Sequence, residues 1–245
     1  MRYSPSRARR DFETWLSKAL TLVVEARQQA GKNSIVRDSI LCASIFLTHA
    51  RFENYFMDVV SFAVTKLNEK NLACKSLPGR LRAAHLLSQM PHPALKRYYI
   101  QSDEKALLDD LHDKVGKADW AWGSSNHKGS LDVSVIMGSN GYPSSDNLKK
   151  VFHKLGVQIF DECGRRMRTD VKALIDGIGD LRNEMAHLGL PPAMTEQDVE
   201  MKLKDLGRTV EAIDRAVHER LRAPRSFTSN TPRDRKVQKS KAKST

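Results

Sequence analysis

The chain's 245 residues, 40% hydrophobic and 29% charged, are enough for one substantial core, and no apolar run reaches the roughly 20 residues that a membrane span needs. The opening "MRYSPSRARRDFETW" lacks the apolar segment of a secretory leader, so a cytoplasmic protein is expected. Cys42, Cys74 and Cys163 are scattered, without a CxxC or a Cys/His cluster at ligand spacing; this argues against a disulfide framework or a zinc site and predicts reduced thiols, no metal and no cofactor.

Helical periodicity governs the pattern from the start. Between about Ser6 and Gln29, Phe12, Trp15, Leu16, Ala19, Leu20, Val23 and Val24 recur at three- and four-residue spacings until "GKN" breaks the run. A longer helix is predicted from Ser34 to about Lys70. Its "SILCASIFLTHARFENYFMDVVSFAVTKL" is too apolar for a helix with one wet face, so it reads as the centre of a bundle. Two short helices follow, in "LPGRLRAAHLLSQM" and "DEKALLDDLHDKV", separated by "PHPALKRYYI".

Residues 119–147, "DWAWGSSNHKGSLDVSVIMGSNGYPSSDN", interrupt the helical pattern. Leu131, Val133, Val135 and Met137 alternate with Asp132, Ser134 and Ile136, which predicts a short strand or hairpin arm inside a glycine- and serine-rich loop. Trp120, Trp122 and Tyr142 flank this loop, as anchors for it or as rings on which unpaired bases could stack.

Ser145 and Asp146 then offer a cap to "NLKKVFHKLGVQIFDE", with an interruption at Gly156. Thr169 offers one to "VKALIDGIGDLRNEMAHL", which Gly189, Pro191 and Pro192 terminate. A last helix, from Thr195 to about Leu221, carries apolar residues at 199, 203, 206, 210, 213 and 217. The expected architecture is all-α, with one helical domain over 1–221 and a basic tail over 222–245.

The charge is concentrated at that end. Arg222, Arg225, Arg233, Arg235, Lys236, Lys239, Lys241 and Lys243 stand against a single Asp234, so the tail holds +7 of the chain's +12 and leaves +5 for the rest. With almost nothing to bury, it is expected to be disordered in isolation and to attract polyanions such as RNA through their phosphates.

One stretch raises a chemical question: "GDLRNEMAHLGLPP", residues 179–192. Asn183 and His187 are four residues apart and share a helix face, whereas Arg182 and His187 are separated by about 140° around the axis. By spacing alone these side chains fit either a cationic last turn favoured by the helix dipole or a catalytic pair. There is no phosphate-binding Gly loop, Gly-X-Ser-X-Gly or paired-carboxylate pattern elsewhere.

"RNEMAH" resembles the Arg-X4-His motif, typically Arg-Asn-X-X-X-His, of the HEPN superfamily, at the place in an all-α chain where that superfamily carries it. "FLTHARFENYF" and "DNLKKVFHKLGV" are similar to segments of prokaryotic HEPN families of the RiboL-PSP and MAE-like types, so the resemblance covers roughly residues 30–220. It implies a HEPN-like helical bundle and a metal-independent endoribonuclease that attacks with the RNA 2′-hydroxyl in the cleft of a homodimer. His187 would be the acid/base group and Arg182 the donor fork for phosphorane-like charge, while Asn183 would orient the histidine or the phosphate. Glu184 and Glu53 are possible auxiliaries. Glu184 could tune the arginine or be a solvated charge; Glu53 could face the motif helix or pair with Arg51 or a neighbouring helix.

The resemblance further implies a toxin or abortive-infection effector, with an antitoxin or defence-system protein as partner. The alternative is a non-catalytic HEPN-like module that binds RNA or a protein. Some HEPN toxins carry a modifiable Tyr two residues after the His, a position held here by Gly189. His85, His92 and His153 have no ligand spacing and read as scattered surface side chains.

Overall fold

Ser6 ends an extended entry and caps the first helix, α1 (Arg7–Gln29), by accepting the Arg9 N–H on its hydroxyl at 3.1 Å. The computed structural model describes residues 3–70, 72, 76–89 and 131–222; the expected "DEKALLDDLHDKV" helix, Cys74, His92, Trp120, Trp122 and the tail after Arg222 lie outside them. The face of α1 buries Phe12, Ala19 and Val23, but Val24 falls off it and stays 48% exposed. Asn33 accepts the Val36 N–H at 3.1 Å and so starts α2 (Ser34–Glu69). This 36-residue helix buries side chains from Leu41 to Leu67, the pattern expected of a central helix. α3 spans Gly79–Gln89.

The alternation at 131–137 does not make a strand. Val133–Met137 is a one-turn helix, α4, capped by Asp132, whose side chain accepts the Ser134 N–H at 2.8 Å. Just before it, the Leu131 N–H and C=O are both taken by the Asn68 side-chain amide, at 3.2 and 3.1 Å, which does the work of a partner strand. The neighbours Ile136 and Met137 are both buried, as a helical turn allows and a strand does not, and Gly138 ends the turn at φ 54°. Among the described residues there is no strand.

α5 (Ser145–Lys154) and α6 (Ile159–Met167) are separate helices, broken where Gly156 adopts φ 74°. Ser144, rather than Ser145 or Asp146, caps α5: its hydroxyl accepts the Asn147 N–H at 3.3 Å, whereas the Ser145 hydroxyl is spent on Asp176 at 2.9 Å. α7 (Val171–Leu188) is likewise capped by Asp170, not Thr169, through the Ala173 N–H at 3.0 Å. α8 (Glu196–Arg222) starts with a reciprocal box in which Thr195 accepts from the Asp198 N–H at 3.2 Å and Asp198 from the Thr195 N–H at 2.9 Å. Its Val199, Leu203, Leu206, Val210, Ile213 and Val217 are all buried.

The described residues divide into two compact units, one of 3–63, 139–152 and 157–219, the other of 64–70, 72, 76–89, 131–138, 153–156 and 220–222. In the first, Ala19, Val23 and Ala26 of α1 meet Leu41 and Ile45 of α2, Leu181 and Met185 of α7, and Val199 and Leu203 of α8. At about 1.5–3 kcal/mol for each large apolar side chain buried, this layer fixes α7 against its neighbours. Phe12, Phe52 and Tyr55 extend it, and the Tyr55 hydroxyl donates to the Val210 carbonyl at 3.1 Å. In the second unit His85 is buried, a correction to its reading as a surface side chain: it lies on the inner side of α3, with Nε2 3.4 Å from the Asp132 N–H. No helix among the described residues is long and apolar enough to cross a membrane.

Candidate active site on the helix 171–188

α7 presents one narrow buried stripe, Val171, Ile175, Ile178, Leu181 and Met185, at spacings of three and four. Arg182 follows Leu181 at the edge of that stripe and is half-buried, whereas Asn183, Glu184 and His187 project from the wet side and are exposed. Gly189 stops the helix at φ 79° with its N–H on the Met185 carbonyl at 3.2 Å, a backbone conformation that a side chain with a Cβ would strain.

The Arg182 guanidinium is placed but not neutralised. Nη1 donates to Asn183 Oδ1 at 3.1 Å, and the guanidinium carbon lies 6.0 Å from the Phe46 ring centre. Among the described residues no carboxylate forms an ion pair with it, which leaves most of its donor fork for another partner. The His187 and Glu184 side chains make no hydrogen bond or ion pair among the described residues. A single α7 therefore does not turn Arg182 and His187 toward one point, because five residues of helix separate them by about 140°.

Next to Arg182 the fold joins Glu53 and Tyr142 through a residue that the sequence did not single out, His49. His49 on α2 is 4% exposed; its Nδ1 lies 3.2 Å from the Glu53 carboxylate and its Nε2 3.4 Å from the Tyr142 hydroxyl. The two rings also lie against each other, with centres 5.4 Å apart and planes tilted by 34°. Burial lowers the His49 pKa and Arg182 lowers it further, against the pull of Glu53 in the other direction. A neutral His49 with its proton on Nδ1 satisfies both neighbours, donating to Glu53 and accepting from Tyr142. Burial raises the Tyr142 pKa, with Arg182 opposing.

Three of the residues named from sequence, Arg182, Glu53 and Tyr142, are thus found in one place around His49. Glu53 meets His49 and not Arg51, whose guanidinium instead lies 3.8 Å from the centre of the Trp15 ring. The available signal for His49 was its position. It occupies an otherwise apolar stripe with Ile45, Phe52 and Phe56, and a carboxylate stands four residues on.

No curated protein and no solved structure matches the chain. The RiboL-PSP-HEPN family matches residues 14–219, which takes in most of α1, all of α2 to α7, most of α8 and the whole of the Arg182–His187 stretch. With the all-α architecture above, that match shows what the chain is: a member of the RiboL-PSP-HEPN family, built on a HEPN-like helical bundle.

Proposed function

We propose that the protein is a metal-independent endoribonuclease in which Arg182, Asn183 and His187 act on the phosphodiester. The observation that carries this reading is Arg182: half-buried on a rigid helix, fixed by Asn183, and without a carboxylate partner among the described residues. A buried or half-buried guanidinium is costly to leave unpaired, and a phosphate supplies the bidentate acceptor it lacks. Exposed His187 then moves the protons. The imidazole takes one from the RNA 2′-hydroxyl as that oxygen attacks phosphorus, and an imidazolium returns one to the departing 5′-oxygen. The P–O5′ bond breaks as the P–O2′ bond forms, giving a 2′,3′-cyclic phosphate and a 5′-hydroxyl. Arg182 holds the charge that builds on the non-bridging oxygens.

The angle between Arg182 and His187 is met by a homodimer with two α7 helices in one cleft. Leu188, 80% exposed beside His187, and Ile35 and Leu47 of α2, 78% and 44% exposed, are apolar surface of the kind an interface covers. The basic tail from Arg222 adds phosphate contacts that weaken with salt. A toxin or defence effector, restrained by an antitoxin-like partner, is the setting in which such an activity fits.

Cleavage of single-stranded RNA in excess chelator tests the reading. Products with cyclic-phosphate ends, lost in His187→Ala, are expected. Activity that vanishes with chelator and returns with magnesium overturns it, and a folded chain that binds RNA without cutting it is the non-catalytic module instead.

A further inference from the structure

Tyr142 sits in an unusual position for a surface ring. It belongs to the segment between α4 and α5, where its carbonyl accepts both the Ser144 N–H and the Asn147 side-chain amide, each at 2.9 Å. Pro143 follows it, and the preceding Gly141 packs near Met57, whose sulfur would lie 3.9 Å from a Cβ placed there. The backbone is therefore fixed independently of the ring.

The ring itself is backed on one side by His49 and leaves 39% of the residue open to solvent. Its hydroxyl lies over α7, 3.6 Å from where a Cβ on Gly179 would be. Gly179 and Arg182 are three residues apart and so lie on the same side of α7, while Phe46, under Arg182, and His49, under Tyr142, are three apart on α2. The half-open ring and the uncommitted guanidinium are thus neighbours across one turn of each helix.

The cost of the support is also informative. Burying an imidazole and binding it to a carboxylate at one end and a phenol at the other is not the cheapest way to fill a helix stripe, since an apolar side chain of similar volume removes the desolvation penalty. What His49 provides that a Leu does not is a directional hold on the Tyr142 hydroxyl, with Glu53 fixing the imidazole in turn.

We propose that Tyr142 is a nucleobase-stacking residue beside Arg182, its ring held in place by the positioning residues His49 and Glu53, so that a base of single-stranded RNA stacks on Tyr142 while an adjoining phosphate meets Arg182. The inference rests on the proposed action on RNA but does not require cleavage. Base–aromatic stacking tolerates any base, so this subsite selects unpaired over paired RNA rather than a sequence.

The test uses the full-length protein and a short single-stranded RNA with 2′-O-methyl riboses, which cannot be cut by 2′-hydroxyl attack, carrying 2-aminopurine at successive positions. One position is expected to be quenched on binding to the wild type. Tyr142→Leu should lose that quenching and bind about 5- to 150-fold more weakly, the range for one stacked base. Tyr142→Phe, which keeps the ring, should retain the quenching and bind within about 3-fold of wild type on the same scale. His49→Leu should fall between the two. Replacing the quenched nucleotide by an abasic one should remove the Tyr142→Leu penalty, which a merely structural role for the tyrosine would not do.

Wild-type binding by Tyr142→Leu, loss in Tyr142→Phe as large as in Tyr142→Leu, a penalty that persists on the abasic strand, or no binding by the wild type would overturn the proposal. Failure of cleavage alone, with Tyr142-dependent stacking intact, overturns the nuclease reading and leaves this inference standing.

Discussion

The two ends of the candidate site are built on opposite terms. At Arg182 the half-buried guanidinium is hydrogen-bonded to Asn183 and lies over Phe46, and beside it His49, Glu53 and Tyr142 bond to one another from a second helix and a connecting segment. At His187, about one and a half turns later, no hydrogen bond or ion pair among the described residues holds the exposed imidazole, and Leu188 beside it is 80% exposed. A charge that must recognise a phosphate gains from being held in one geometry and partly dried. A group that must pass protons to and from a substrate gains from being open to solvent. The chain itself finishes the Arg182 half and leaves the His187 half open to solvent.

The largest expected effect tests whether both ends serve the same chemistry. Arg182→Ala and His187→Ala should each lower single-turnover RNA cleavage by about 10²- to 10⁴-fold, and the double variant should be little worse than either single one. His187→Ala should leave thermal stability within about 0.5 kcal/mol, because its side chain is exposed and unbonded. If His187→Ala unfolds the chain, its role is that of a helix-end cap and the comparison collapses.

Next in size is the stripe that aims both residues. Leu181→Ala and Met185→Ala remove buried contacts with α1, α2 and α8 and should cost about 2–5 kcal/mol in denaturant unfolding. In that layer, activity should fall only with the folded fraction. A variant with full stability and no activity would show that these positions shape chemistry as well as packing.

Much of this was legible in the sequence, and the failures have particular causes. The six apolar positions read in α8, from Val199 to Val217, are all buried because a three-and-four spacing sustained over so many turns fits only one face of a helix. The 131–137 segment misled because seven residues of alternation are too few to tell a strand from one helical turn. What decides is the Asn68 side chain, 63 positions away, which satisfies the Leu131 backbone. Caps erred by one residue at Ser144 and Asp170, where neighbouring hydroxyls and carboxylates compete for the same role. Within the site, "RNEMAH" is local and could be read. For His49 only the helix position and the carboxylate at 53 were local; its contact with Tyr142 was not, because that residue lies 93 positions along the chain and only folding brings the two together.

A smaller effect addresses the second chain. Leu188→Glu places a charge on surface that is open in one copy, so the monomer's unfolding free energy should change by less than about 0.5 kcal/mol. In a homodimer with α7 at its centre the same substitution buries an unpaired carboxylate, and light scattering should show dissociation at concentrations where the wild type remains paired. Cleavage should then become dependent on protein concentration. A wild-type monomer that cleaves at full rate would remove the shared cleft and require Arg182 and His187 to reach one phosphate from a single helix.

The smallest effect is a pH slope, and it separates the finished half from the open one. His49 has its pKa lowered from an ordinary value near 6.5 by burial and by Arg182, so between that value and its folded one the unfolded chain binds a proton that the native chain does not. The groups facing it are Glu53 from its own helix, Arg182 from α7 and Tyr142 from the connecting segment. Its contribution to stability is therefore fully present above about pH 6.5 and is lost as pH falls through that window, by no more than about 1.4 kcal/mol per pH unit for one proton. Below the folded pKa, His49 takes up the proton, a second cation stands beside Arg182, and Nε2 no longer accepts from the Tyr142 hydroxyl. Denaturant unfolding of wild type and His49→Gln from pH 7.5 to 5 measures the difference directly, since every other titrating group is common to both chains. The wild-type curve should lose stability toward acid faster than the variant's. Parallel curves would mean that His49 is protonated at no net cost in the fold, and the directional hold on Tyr142 would then have to come from Glu53 acting on a charged imidazole.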